Sequence, residues 1–247
     1  MEFVRCLIFL AAIILVASVE GTGKNPRAEL GDSDRRIESI PTGYNAEPLP
    51  ELLSLPASRK LSDLEKAYLD AYSILKQDNS CSEFFGGPQA IGALNQLTTQ
   101  IQPAYLDRHI GLRMRGETTN VLDLRTGFKY RLFDKAEVNL NGPFYQASGL
   151  PNRPKVPRVG TFPPSSREAR VTLLLHELGH LIRKPDDHWL LRDDGNDTWQ
   201  SEENTQRVID ACGKQIREIH RFSFEAELSQ AQYEARNQAA IVKMLGG

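Results

Sequence analysis

The sequence predicts an α+β fold, because helical, strand-like and again helical patterns follow one another in separate blocks along the chain. Apolar residues recur at helical spacing before Ile101, alternate with polar residues from Ile110 to Asn141, and return to helical spacing after Ser166. The 247 residues are 40% hydrophobic and 25% charged, a composition typical of globular proteins. We therefore expect a short, mostly antiparallel sheet that is followed by further helices.

Residues 1–19 have the pattern of a secretory signal peptide. Arg5 precedes an almost unbroken apolar run from Cys6 to Val19, and the small residues Ala17 and Ser18 offer a cleavage site. The run is short for a stable membrane span, so cleavage is favoured over an uncleaved anchor. We expect a secreted or periplasmic protein with no integral membrane domain once this segment is removed.

Two cysteines, Cys81 and Cys212, remain after removal of the predicted signal peptide. Thiols in an exported chain meet oxidising conditions and tend to pair. We therefore predict a disulfide between these two residues, and the alternative is two separate buried thiols.

The segment 20–57 lacks helical and strand periodicity and contains several Gly, Pro and charged residues. This composition predicts an extended or disordered leader, which could act as an inhibitory segment. The folded domain is predicted at residues 58–247, and its last helix at about Phe224 to Leu245.

The predicted domain begins with two helices. Ser62 is the expected N-cap of the first, with Glu65 as its capping-box partner. The second is predicted from Pro88 to Ile101, where apolar residues recur at helical spacing.

Three or four short strands, each with one apolar and one polar face, are predicted next. Alternation runs from Ile110 to Gly116, resumes at Val121, and continues from Phe128 to Phe133 and from Ala136 to Asn141. Thr126-Gly127 is a turn signal between two of these segments. We expect the strands to pair in antiparallel fashion.

A Pro-rich surface loop separates the strands from the later helices. Ser165 or Ser166 is the expected N-cap of the next helix, and Ser201 that of the helix after it. Trp189 and Trp199 flank the acidic loop between these helices, and we expect both to pack against it.

The segment V-T-L-L-L-H-E-L-G-H-L-I-R-K, residues 171–184, places two histidines and a glutamate inside a leucine-rich helix. His176 and His180 are four residues apart, so both rings project from one helix face and can bind one Zn²⁺. Glu177 lies beside that face, where it can accept a proton from a water activated by the metal. Gly179 weakens the helix but leaves room for close approach of a backbone or a substrate. The alternative is a core helix with two hydrogen-bonded histidines, which is costly for three clustered polar groups.

The stretch T-L-L-L-H-E-L-G-H-L-I resembles the active-site helix of the zincin metallopeptidases. The resemblance covers about fifteen residues of the chain. It implies that His176 and His180 are zinc ligands and that Glu177 is the general base. The metzincin subfamily is excluded, because Arg183 and Asp186 stand where its motif has Gly and His.

Zincins also place a short mixed sheet before this helix, and one edge strand of that sheet borders the cleft and pairs with extended peptide substrate. By this analogy, we expect Ala136–Gly142 to be the edge strand.

The third zinc ligand stays open among the acidic and histidine side chains that follow the motif. The candidates are Glu203 and Glu202, Asp194 and Asp193, and Asp186, Asp187 and His188. Gluzincins take a glutamate from a following helix, which favours the first pair, and aspzincins take an aspartate from the intervening loop, which favours the second. Ordinary explanations also exist, because acidic residues suit a helix N-terminus and D-D-G-N-D suits a turn or a Ca²⁺ loop.

Other polar residues could support the centre. Asn204, Asp210 or a loop aspartate could accept the second ring N–H of a ligand histidine. His220 and Tyr145 could stabilise an oxyanion, although a structural role is favoured for both.

The predicted activity is hydrolysis of peptide bonds by an exported, zinc-dependent metallopeptidase that uses metal-activated water on a peptide or protein substrate. The alternatives are a catalytically inactive zinc-binding scaffold protein and a non-peptidase hydrolase with the same site. The formal net charge of −2 gives no case for nucleic acid as a partner.

Overall fold

The computed structural model describes residues 37–40, 49, 59–148 and 155–219, which belong to one compact unit. This described part contains five helices and five strands. In chain order they are β1 (Ile37–Ile40), α1 (Asp63–Lys76), α2 (Ser80–Phe84), α3 (Ala90–Gln100), β2 (Ile101–Ala104), β3 (Leu112–Asp123), β4 (Lys129–Asn139), α4 (Arg167–Leu181), β5 (Ile182–Arg183) and α5 (Thr198–Arg217). None of these helices has the length and hydropathy that a membrane span requires.

The mixed α+β architecture is confirmed, but the sheet takes in part of the segment that we predicted as a leader. β1 lies within residues 20–57, yet it pairs in parallel with β3. The backbone N–H of Leu49 also donates to the Tyr68 hydroxyl, at 2.9 Å. A four-residue strand is too short to show a clear alternation of apolar and polar residues. The predicted start of the domain at residue 58 therefore excluded this strand. The predicted signal peptide, the predicted last helix and His220 lie outside the described residues.

A long antiparallel hairpin of β3 and β4 forms the centre of the sheet. The short strands predicted here merge in pairs, because the alternation continues across a bulge between Arg115 and Thr118. Gly116 lies in this bulge at φ +97°, a left-handed conformation that favours glycine. The predicted turn at Thr126-Gly127 joins the two strands, with Gly127 at φ +71°.

The outer strands make the sheet mixed rather than mostly antiparallel. Its order is β1-β3-β4-β2, and β1 and β2 both run parallel to their neighbours. The prediction that Ala136–Gly142 is an edge strand is wrong, because β2 pairs with residues 136–139 on that side. β2 follows α3 without an intervening residue, so Ile101, the predicted end of the helix, is the first residue of the strand.

Among the described residues, the outer side of β4 is paired at its two ends and not between them. β5 pairs with Lys129 and Tyr130, and β2 pairs with residues 136–139. Between them, residues 131–135 have no strand partner on this side within the described part of the chain.

The helix starts follow capping chemistry that the sequence largely predicts. In α1, the Ser62 side chain accepts from the Glu65 N–H, and the Glu65 carboxylate accepts from the Ser62 N–H. Ser166 caps α4. The predicted cap at Ser201 is wrong, because the Asp197 side chain accepts from two first-turn N–H groups and starts α5 one turn earlier.

The helix α4 lies at the centre of the hydrophobic core. Its four buried leucines have exposed fractions of 1% or less: Leu174, Leu175, Leu178 and Leu181. α1 and α5 both pack against α4, and α3 packs on β4. Near the start of α4, Arg167 donates two hydrogen bonds of 2.5 and 2.6 Å to the buried carboxylate of Asp70 in α1. The histidine motif therefore stands on a helix that packs against both α1 and α5.

The predicted disulfide is confirmed. Cys81 in α2 is bonded to Cys212 in α5, 131 residues further along the chain, and both residues are fully buried. Beside it, the Ser80 hydroxyl donates to the Ala211 carbonyl at 2.8 Å. The bond attaches α5 to the first part of the domain.

Candidate metal centre

The two histidines of the motif meet on one face of α4. The helix runs without a break through both residues, each of which is only 4% exposed. Their Nε2 atoms lie 3.0 Å apart. At that distance two ring nitrogens need either a shared proton or a cation between their lone pairs.

A short hairpin follows the helix and reverses the chain. The reversal occurs in a turn where Asp187 has φ +67°, a conformation that Asp tolerates better than most residues. Trp189 then lies opposite Arg183 in an antiparallel bridge. The Leu190 N–H donates to the Ile182 carbonyl at 2.9 Å, so the chain returns alongside the end of α4.

Gly179 allows the returning chain to contact the helix. The Leu191 N–H donates to the Gly179 carbonyl at 3.1 Å. A Cβ at position 179 would lie 2.5 Å from Leu191 Cδ1, closer than side chains approach one another. The close approach expected at this glycine is therefore confirmed, and the approaching segment is the protein's own loop.

The loop brings Asp194 to the histidines. Asp194 Oδ2 lies 3.0 Å from His176 Nε2 and 3.4 Å from His180 Nε2. In the described part of the chain, these three residues form the cluster whose ligand atoms could hold a metal ion, with every pair within 4.8 Å. Zinc ligands at about 2.0–2.1 Å in tetrahedral geometry stand about 3.4 Å apart, close to the distances found here.

The charge state of Asp194 suits a ligand. Burial alone would raise the pKa of its carboxyl group, but hydrogen bonds with His176 and His180 outweigh burial and lower the pKa well below its usual range. The carboxylate is therefore ionised at neutral pH and supplies negative charge to the cluster.

Two residues of α5 support the centre. Thr205 Oγ1 lies 2.9 Å from His176 Nδ1, so it can accept the Nδ1–H and leave the Nε2 lone pair facing the cluster. Asn204, a residue that we expected to contact a histidine, instead donates to the Arg192 carbonyl at 2.8 Å and so holds the loop before Asp194. His180 Nδ1 is buried without a hydrogen-bond partner among the described residues.

Glu177 is buried beside the cluster, with 8% of its surface exposed. Burial raises the pKa of its carboxyl group to about 7; His176 opposes this shift and the negative charge of Asp194 adds to it. A carboxyl group with a pKa near neutrality can both accept and release a proton under ordinary conditions.

The remaining candidates for the third ligand lie outside the cluster. Glu202 and Glu203 are exposed on α5, whereas the next two residues face inward: Asn204 contacts the loop and Thr205 contacts His176. Asp193 binds Arg131.

Three further candidates lie in the hairpin turn, where each makes a local contact. Asp186 pairs with Lys184, Asp187 pairs with Lys129, and the His188 N–H donates to Asp186. None of the three has a side chain in the cluster.

Several residues with proposed supporting roles lie elsewhere. Tyr145 packs on Phe144, and burial and then the charge of Asp63, the first residue of α1, raise the pKa of its hydroxyl. Asp210 accepts from Gln206 on an exposed face of α5. Trp199 is 69% exposed, so its expected packing against the acidic loop is wrong.

Two residues of the site are not indicated by any pattern in the sequence. Thr205 carries no motif signal, because a threonine in a helix is common. Arg131 falls in an alternating strand, where its position predicted an exposed polar face. The structure instead buries Arg131 to 6% exposure beside the carbonyl of His180.

Comparison with known proteins adds no family assignment, because the chain matches no family model, no curated protein and no solved structure.

Proposed function

We propose that this chain is an exported zinc metallopeptidase of the zincin type, in which His176, His180 and Asp194 hold Zn²⁺. The observation that carries the proposal is the convergence of two imidazole nitrogens and one ionised carboxylate within 3.4 Å of one another. Nitrogen and carboxylate ligands of this number are typical of catalytic zinc sites, which keep a fourth position open. An aspartate from the intervening loop corresponds to the aspzincin pattern.

The metal would supply Lewis-acid polarisation of a peptide carbonyl and would lower the pKa of a water to about 7. The Glu177 carboxylate, buried beside the cluster, would accept a proton from the attacking water and would deliver it to the leaving amine. Thr205 holds the His176 ring in the tautomer whose Nε2 faces the centre. Asn204 holds the loop that presents Asp194.

The middle of the outer side of β4, which has no strand partner among the described residues, is a suitable place for substrate backbone. Residues 131–135 carry free strand-edge groups between β5 and β2 in the described part of the chain. An extended peptide can add to such an edge through main-chain hydrogen bonds. The same strand holds Arg131, whose Nε donates to the carbonyl of the ligand residue His180, so this edge lies close to the centre.

The burial of the cluster favours a second candidate function, a zinc-binding scaffold without turnover. The side chains of His176 and His180 are 5% exposed and that of Asp194 is 19% exposed. A site this enclosed offers limited access to a protein substrate, whereas a purely structural metal site needs none.

The first test measures the zinc content of the purified chain and of single variants. We expect one equivalent of zinc in the wild type and in Glu203→Gln, a matched change of an exposed acidic residue on α5. Zinc should be lost in Asp194→Asn. Zinc retained at full affinity by Asp194→Asn would contradict the ligand assignment.

A second test separates the two functions. We expect Glu177→Gln to keep its zinc and to lose hydrolysis of an unstructured protein substrate such as denatured casein. If the zinc-loaded wild type cleaves neither denatured protein nor a mixed peptide library, the scaffold function replaces the peptidase.

A further inference from the structure

Arg131 is a buried cation between the two segments that carry the proposed ligands. It lies on β4, and only 7% of its side chain is exposed, whereas its carboxylate partner Asp193 is 64% exposed. An ion pair with one partner in solvent contributes little stability, and this contribution does not offset the cost of removing a guanidinium group from water. An apolar side chain would fill this place at lower cost, so the position of the guanidinium calls for another explanation.

The first contact of Arg131 is with the end of α4. Its Nε donates to the His180 carbonyl at 2.9 Å. That carbonyl is among the last four of the helix, which lack partners within it, and a cation is favourable at this end of the helix dipole. Arg131 therefore holds the backbone of a proposed ligand residue.

The second contact is with the acidic loop. The Nη1 atom donates to Asp193 Oδ2 at 3.3 Å, and Nη2 donates to Asp193 Oδ1. Asp193 directly precedes Asp194, so this two-point contact sets the position of the backbone from which Asp194 extends.

The third contact holds the guanidinium itself. It stacks on the Trp189 ring at 4.0 Å and lies 5.0 Å from the Phe133 ring. Trp189 belongs to the hairpin that joins α4 to the acidic loop. The planar group thus contacts the helix end, the hairpin and the loop at once, which lysine with its single ammonium cannot do.

We propose that Arg131 is a positioning residue of the metal centre, which sets the separation of His180 and Asp194 by binding the backbone of one and the neighbour of the other. This inference rests on the proposed zinc site. It adds a contribution from the sheet to a centre whose ligands all come from α4 and the loop that follows it.

The test uses the full mature chain, with zinc affinity from competition titration and the visible spectrum of the cobalt-substituted protein. Arg131→Met and Asp193→Asn should each weaken zinc binding by about 10–100-fold and change the cobalt spectrum. Arg131→Lys should recover only part of the loss. Arg115→Met is the matched control, because it removes an exposed guanidinium that pairs with Glu137 elsewhere in the sheet, and it should leave both readouts unchanged.

The double variant Arg131→Met/Asp193→Asn should lose no more than the worse single variant, because Arg131→Met already removes the contact that Asp193→Asn weakens. If Asp193 were itself a ligand, the Asp193 change would instead abolish binding in either background. Zinc affinity of Arg131→Met within twofold of the wild type, with an unchanged cobalt spectrum, would overturn the inference. Should Arg131→Met not fold, the exposed Asp193→Asn variant decides by the same criterion, and absence of zinc in the wild type would refute the proposed function instead.

Discussion

Gly179 and Leu191 are in contact through both backbone and side chain, and this contact brings the acidic loop to the histidine helix. The Leu191 N–H donates to the Gly179 carbonyl, and the leucine side chain occupies the space that a Cβ at position 179 would need. Asp194 follows Leu191 by three residues. The absence of a side chain at position 179 thus lets Leu191 pack directly against the helix.

Gly179→Ala should destabilise the protein although alanine favours helices. The helix propensity gain is about 1 kcal/mol, and overpacking in a buried contact costs about 1–3 kcal/mol. We expect a net loss of up to about 2 kcal/mol in urea unfolding, together with weaker zinc binding. In a Leu191→Ala background the clash is gone, so the same change should stabilise. Stabilisation in both backgrounds would show that the contact is not restrictive.

Thr205→Val should weaken zinc binding by about 10–100-fold, because it removes the hydroxyl that can accept the His176 Nδ1–H. Thr205→Ser keeps the hydroxyl and should stay close to the wild type. Competition titration against a zinc chelator measures the difference. Equal zinc affinities of the valine and serine variants would show that the Thr205 hydroxyl does not support the metal centre.

The metal-free protein should become less stable as pH rises from 4.5 to above 7, through Glu177. Its folded pKa of about 7 lies above its ordinary value of 4.5, so protonation favours the folded state. This contribution is complete below pH 4.5 and is lost as the carboxyl group ionises through about pH 7. Glu177→Gln should lack it, so the variant should gain stability relative to the chelator-treated wild type between pH 5 and pH 8. If the urea midpoints of the two proteins change with pH in the same way, the raised pKa of Glu177 is contradicted.

Arg167→Met should cost about 2–3 kcal/mol, because it deprives the buried carboxylate of Asp70 of two short charged hydrogen bonds. The value is below that of a fully buried pair, since Arg167 is 36% exposed. Arg59→Met, which breaks a more exposed pair with Glu65, should cost less than about 1 kcal/mol. Adding Asp70→Asn to Arg167→Met should recover part of the loss, and urea unfolding of the four proteins checks this.

Replacing both cysteines of the disulfide by serine should lower the free energy of unfolding by about 5 kcal/mol in the chain-entropy model, given a separation of 131 residues. A reducing agent should destabilise the wild type and leave the double serine variant unchanged. If the two proteins respond alike to reductant, the thiols are not paired in solution.

The helix caps and the histidine pair could be predicted from the sequence, because each depends on residues that are close together in the chain. The capping box at Ser62, the cap at Ser166 and the histidine pair each involve residues within four positions of one another. The Cys81–Cys212 pair could also be predicted, since only two cysteines remain after the predicted signal peptide.

Contacts between residues that are far apart in the chain could not be predicted from the sequence in this way. Asp194 and Glu203 were equally acceptable as a third ligand by chemistry, and the choice depends on the hairpin turn at Asp187 and on where α5 begins. Arg131 approaches the site from a strand 49 residues before His180, a relationship that no local pattern encodes. The parallel pairing of β1 and β2 is non-local for the same reason.

The Cys81–Cys212 bond also decides what a single proteolytic cut would do. Lys155 and Arg158 are exposed and lie between the two cysteines, so trypsin can reach a peptide bond there. The two fragments would remain covalently joined, one with most of the sheet and the other with His176, His180 and Asp194. A nicked two-chain form would therefore migrate as one species without reductant, separate into two with it, and keep the candidate centre on the C-terminal fragment.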